Sequence, residues 1–291
     1  MEYKKEINLI YYLKNSSTSN IFGDKFVNNN KNNIDLKIND IKSKLVNNHQ
    51  LRKGKNIITL LIKNKLTNLS YMFYQCNNLE DIKELEYLNV KEVKDFSYMF
   101  YGCSSLLDIK PLRNWDVSNG INFRFIFFGC SALSDIKPLQ NWNVSNGNNF
   151  RGMFYGCSSL SDIRPLQNWN VSNGNDFSNM FYGCSSLSNI NSLQNWNVSN
   201  SKDFSVMFCG CSSVSDIKPL KNWNVSNGNN FSGMFRGCSA ISDIKPLENW
   251  DVSNGNNFSG MLDGCSSLLD IKPLQNWKYF ESIFGIDKYN K

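Results

Sequence analysis

At 291 residues and 41% apolar content, the chain has material for a sizeable core. Its net charge of +6 is lopsided: residues 1–65 carry +8 and residues 66–291 carry −2, which excludes a basic nucleic-acid groove along the bulk of the chain. No apolar run reaches the roughly 18 residues of a membrane-spanning helix, and the short, Asn-interrupted stretch Ile7 to Leu13 excludes a signal peptide, so the expected compartment is intracellular and reducing.

Residues 1–65 have no internal repeat and are expected to form a small β-rich cap. Glu6 to Leu13 predicts a strand, Ser16 to Asn20 a polar turn, and Ile21 to Val27 a strand or a short helix. Asn28 to Asn33 is a polar connection. Ile34 to Ile38 alternates apolar and polar like a half-buried strand, and Asn56 to Lys63 is a further strand candidate. His49, the one histidine, has no nucleophile or carboxylate pattern around it. With no base near a nucleophile and no phosphate cradle, the chain is not expected to be an enzyme or to hold a cofactor.

From residue 66 to 277 one unit recurs. Cys76, Cys103, Cys130, Cys157, Cys184, Cys211, Cys238 and Cys265 stand 27 residues apart, and Trp115 to Trp277 keep the same step. Eight units at this period predict a stacked repeat. Phe150, Met153, Phe154 and Cys157 lie at i, i+3, i+4 and i+7, the pattern of one helical face, with Gly156 as a stop signal. Leu160, Ile163 and Leu166 then predict a strand ended by Pro165, Trp169 and Val171 a second extended run, and Asn173-Gly174 a turn. The expected fold is therefore an α/β solenoid, leucine-rich-repeat-like. Residues 278–291 form a truncated terminal cap, in which Phe280, Ile283 and Phe284 keep helical spacing.

Eight of nine cysteines share one repeat position, which predicts a buried ladder of thiols rather than a disulfide framework. Cys209-Gly210-Cys211 lacks zinc spacing, so no metal is expected. Asn143, Asn170, Asn197 and Asn224 begin Asn-Val-Ser sequons, and Asn230 and Asn257 begin Asn-Phe-Ser.

Two outward rows are candidate binding surfaces. Asp108, Asp135, Asp162, Asp216 and Asp243 flank the inward Ile on one side, and Lys110, Lys137, Arg164, Lys218 and Lys245 on the other. On a strand both rows point outward, as a zwitterionic strip or as simple charge balance. Asn189 and Asn191 replace both partners in the fifth unit. Tyr74, Tyr101, Phe128, Tyr155 and Tyr182 form the other row, either a docking patch or packing between helical turns.

The unit Met-Phe-Tyr-Gly-Cys-Ser-Ser-Leu, at 99–106 and 180–187, followed by Asn-Trp-Asn/Asp-Val-Ser-Asn, resembles BspA-like leucine-rich-repeat surface proteins of the mycoplasma lipoprotein-associated type. The head around Ile21-Phe22-Gly23-Asp24-Lys25 is similar to heads on such repeats in AT-rich protists and giant viruses. The resemblance implies a right-handed solenoid, a cell or virion surface location, and adhesion or protein binding with no catalytic residues. A non-catalytic protein-interaction scaffold is the function expected, with an exported adhesin or a glycan-binding ladder as alternatives.

Overall fold

The computed structural model describes residues 5–283. The head is built on β1 (Lys5–Leu13) and β6 (Gly54–Ile62), paired antiparallel over their whole length. Both are rich in Ile and Leu, and alternate residues of β1 are buried. Around them β2 (Ser17–Asn20), α1 (Asp24–Asn30), β3 (Ile34–Ile38), β4 (Ile41–Lys44) and β5 (Asn48–Leu51) complete the head. The main sheet has the order β4-β3-β6-β1-β7, and its last strand, β7 (Leu79–Asp81), belongs to the first repeat. Head and repeats thus share one sheet edge and one core: Phe22 of the head lies 6.0 Å from Phe73 of the first unit.

Three segments of the head differ from expectation. Ser17–Asn20 is not a turn but a strand paired with β5. Asn28 to Asn30 continue α1. β4 and β5, polar and mostly exposed, exist because partner strands satisfy their backbone.

The expected α/β leucine-rich-repeat solenoid does not form. The run Phe150 to Cys157 is a chain of tight turns, not a helix, and Leu160 to Leu166 contains a 3-10 turn at Arg164–Leu166, not a strand. The reason lies in where the backbone hydrogen bonds go. Gly152 (φ +57°) and Gly156 (φ +70°) are left-handed and four residues apart, which a right-handed helix cannot contain. N–H groups of Phe123, Phe125, Phe127 and Gly129 instead donate to Asn149, Arg151, Met153 and Tyr155 of the next unit, at 2.7–3.0 Å. Parallel bridges mark this seam from Asn68↔Asp95 to Asn230↔Asn257. The inter-unit ladder therefore runs along the segment where a helix was expected. On the opposite side, 3-10 turns recur every 27 residues from Lys110–Leu112 to Lys272–Leu274. Only β7 realises the expected strand, because β1 lies beside it.

The inward rows fall where the apolar pattern put them. Phe150, Met153, Phe154, Cys157, Leu160 and Leu166 are fully buried. Side chains also bridge units. Trp169 Nε1 donates to the Leu139 carbonyl (3.0 Å), Cys157 Sγ to that of Phe127 (3.3 Å), and Asn173 Nδ2 to that of Ser145 (2.7 Å). The same three links recur in neighbouring units. The repeated Trp, Cys and Asn are thus each fixed by a donor that reaches the previous unit. At the far end α2 (Phe280–Ile283) follows the last unit, and Ser282 and Ile283 accept from Gly260 and Leu262. Phe284 and the rest of the expected terminal cap lie outside the described residues.

Candidate interaction surface

The charged rows lie on the 3-10 side, and their aspartates serve the backbone. Oδ1 of Asp108, Asp135, Asp162, Asp216 and Asp243 accepts the N–H of the base two residues on, at 2.7–2.9 Å, so each carboxylate opens its 3-10 turn. Asn189 does the same for Asn191 at 2.8 Å. An amide oxygen suffices, which explains why the fifth unit dispenses with the charge. Arg164 additionally forks onto Asp162 (2.7 Å), and this pairing holds the Asp162 carboxyl below its ordinary range. The bases remain exposed, and shallow hollows of about 500 and 350 Å³ lie between Asp135, Lys137 and their neighbours. We expect Asp162→Asn to leave the thermal midpoint nearly unchanged and Asp162→Ala to cost about 1 kcal/mol, read from denaturant melts. Equal losses for the two would contradict this role.

The aromatic row lies on the seam side. Tyr74, Tyr101, Phe128, Tyr155 and Tyr182 are half-buried and stacked, with centroids 4.8, 4.2, 4.3 and 4.3 Å apart. They pack against one another between turns and stay partly open to solvent. Because each ring face covers its neighbour, the row presents ring edges and hydroxyls outward.

A second column beside it was not foreseen. Tyr71 stacks on Tyr98 (4.5 Å), Phe125 lies tilted by 38° against Tyr98 (5.1 Å), and the two columns touch at 5.3–5.7 Å. These three residues are left-handed, with φ of 61°, 59° and 55°. The equivalent position is glycine at 152, 233 and 260, Asn179 (φ 61°) and Val206 (φ 49°), so left-handed backbone belongs to this position in every unit and not to the aromatic units alone. A side chain there costs roughly 1–2 kcal/mol of backbone strain, so three adjacent units hold bulky rings where glycine would fit without strain. The column ends because the Phe125 ring lies over the next unit: a Cβ on Gly152 would stand 2.2 Å from it. The sequence carried a clue, since an aromatic recurs there in three successive units and then stops at Gly152.

Cations complete this face. Lys25 Nζ lies 4.5 Å from the Tyr71 ring centre, and the guanidinium carbons of Arg124 and Arg151 lie 5.2 and 5.8 Å from Tyr98 and Phe125. Partial burial pushes the Tyr98 and Tyr101 phenols above their ordinary range, so both stay protonated donors at neutral pH.

The remaining candidates do not join this surface. His49 is exposed on β5 in the head. Cys211 donates to the Phe181 carbonyl, while Cys209 is buried to 8% exposure beside Tyr182, less open than the sequence implied. It is still more exposed than the ladder thiols at 0–2%, so in native alkylation mapped by mass we expect Cys209 to label first. Uniform labelling of all nine cysteines would contradict the buried ladder. No group of three or more potential metal ligands occurs among the described residues, and no helix among them is long and apolar enough to cross a membrane.

No curated protein and no solved structure matches this chain. The model of the family described as "Mycoplasma protein of unknown function, DUF285" matches residues 67–191 and again 186–284, most of the chain, and the chain belongs to that family.

Proposed function

We propose that the chain is a non-catalytic protein-interaction scaffold. The observation that carries this reading is the half-exposed aromatic face at the N-terminal end of the repeats, where the column of Tyr71, Tyr98 and Phe125 packs against that of Tyr74, Tyr101 and Phe128 and three cations lie over it. Contiguous aromatic surface left open to solvent marks an interaction site. An extended face of recurring side chains suits a partner that lies along the stack. Kinship with BspA-like surface proteins, and with it a cell or virion surface location, is a further part of the proposal. The exposed sequons Asn143, Asn170, Asn197 and Asn224 favour an exported adhesin as the second reading, which glycan mass on native protein would test. The strip at Asp135, Lys137, Asp162 and Arg164 is the second candidate surface, on account of its hollows.

Immobilised parent chain and a variant with Tyr98→Gly and Tyr101→Ser are exposed to lysate of the native host, and retained proteins are identified by mass spectrometry. The expected result is a protein held by the parent and lost from the variant. Identical retention, or binding to a glycan array with no protein retained, overturns the reading.

A further inference from the structure

We propose that the face built on Tyr71, Tyr98 and Phe125 docks an extended acidic segment of a protein partner; this deepens the scaffold reading and rests on it. Three properties of the face select that occupant. The first is its charge. Lys25, Arg124 and Arg151 gather over these rings, and none of them forms an ion pair among the described residues. On the seam, Asp95 and Asp176 each give Oδ1 to the N–H of a serine two residues on, at 2.9 Å, and Asp176 also interacts with the Arg151 charge without forming an ion pair. With Lys25 held to the Tyr71 hydroxyl at 3.2 Å and none of the three closed off in an ion pair among the described residues, the face keeps a positive surplus for an outside anion.

The second is the exposed part of the rings. Stacking at 4.2–4.5 Å, with Phe125 tilted against Tyr98 at 5.1 Å, occupies most of their faces. A sugar or a nucleic-acid base needs a free ring face to stack on. What remains outward are ring edges, which carry the positive end of the quadrupole, and protonated phenols that can donate. Both favour carboxylate oxygens.

The third is length. Tyr71, Tyr98 and Phe125 stand in three successive units and Arg151 in the fourth, so at about 4.8 Å per unit the face runs roughly 15 Å, which a peptide of about five residues spans when extended at about 3.3 Å per residue. Side chains on alternate residues of such a strand point to one side, so acids at every second position would all meet the face.

The test uses the full chain and a fluorescein-labelled short peptide alternating Glu and Leu, followed by anisotropy. Binding is expected to saturate and to weaken with salt. Reversing Arg124 and Arg151 to Glu should lower affinity about tenfold or more. Reversing Lys137 and Lys218 on the 3-10 side should leave it unchanged. Nε of Arg124 is buried without a hydrogen-bond partner among the described residues, so that site is sensitive to change. Arg151→Glu with Lys25→Glu is the second variant, both sites being exposed. Equal or tighter binding of the Lys–Leu counterpart or of labelled oligothymidylate overturns the proposal, as does indifference to both sets of reversals. If the Glu–Leu peptide does not bind but a lysate protein is still lost on Tyr98→Gly with Tyr101→Ser, the occupant is wrong and the scaffold reading stands. If neither occurs, both fall.

Discussion

Replacing Trp169 with Ala lowers stability by about 3–5 kcal/mol, the range for deleting a large buried ring. Trp169 is 4% exposed, and its Nε1 supplies the bond to the Leu139 carbonyl of the previous unit. The ring packs 6.5 Å from Phe150, itself within a column of rings spaced 5.3–5.7 Å. Truncation therefore opens a cavity, strands a buried carbonyl and loosens two interfaces together. In a stack whose units contact only their neighbours, the loss spreads along the array. Denaturant melts of the parent and of Trp169→Ala and Trp196→Ala measure it. Unchanged midpoints would mean that the Trp row does not carry the core.

Raising the pH should unfold the stack steeply. Burial pushes the Cys103 thiol up to about 12 and the thiols of Cys76, Cys130, Cys157, Cys184, Cys211 and Cys238 above their ordinary value too. In the folded chain each stays protonated and donates to a phenylalanine or tyrosine carbonyl, as Cys130 does to Phe100 at 3.3 Å. In the unfolded chain each ionises near pH 8.5. A raised folded pKa means that the stabilisation is complete below about pH 8.5 and drains away as pH rises toward the folded value. The slope is about 1.4 kcal/mol per pH unit for each thiol. Several in parallel would exhaust a typical stability of about 5–15 kcal/mol within one to two pH units. Thermal midpoints followed from pH 7 to 11 should be flat and then fall sharply. Replacing Cys157 and Cys184 with Ala should flatten the fall. A parent midpoint equal at pH 7 and about 10.5 would refute the ladder as described.

The period and the inward rows were legible because they depend on one property, apolarity, repeated at one spacing. Leu, Ile, Trp, Phe, Met and Cys at fixed steps had to be buried by stacking, and they are. Backbone routing was not legible. Phe150, Met153, Phe154 and Cys157 keep a helical spacing that tight turns also accommodate, and only the left-handed pair Gly152 and Gly156 signals the difference. Aspartate beside an inward isoleucine is the outward charge it looked like, but that its oxygen also opens a 3-10 turn, a use that Asn189 shares, was not legible.

By itself, then, the sequence determined the repeat, its register and its buried columns, since hydrophobic periodicity is local information. The tertiary structure alone decided that the backbone N–H groups would be satisfied by the next unit rather than within a helix. It also decided that β2, β4 and β5 would pair despite polar sequences. And it brought Lys25 of the head over Tyr71 of the first unit, in one column with Arg124 over Tyr98 and Arg151 over Phe125. Such juxtapositions join residues tens of positions apart, and no spacing rule encodes them until stacking sets the units side by side.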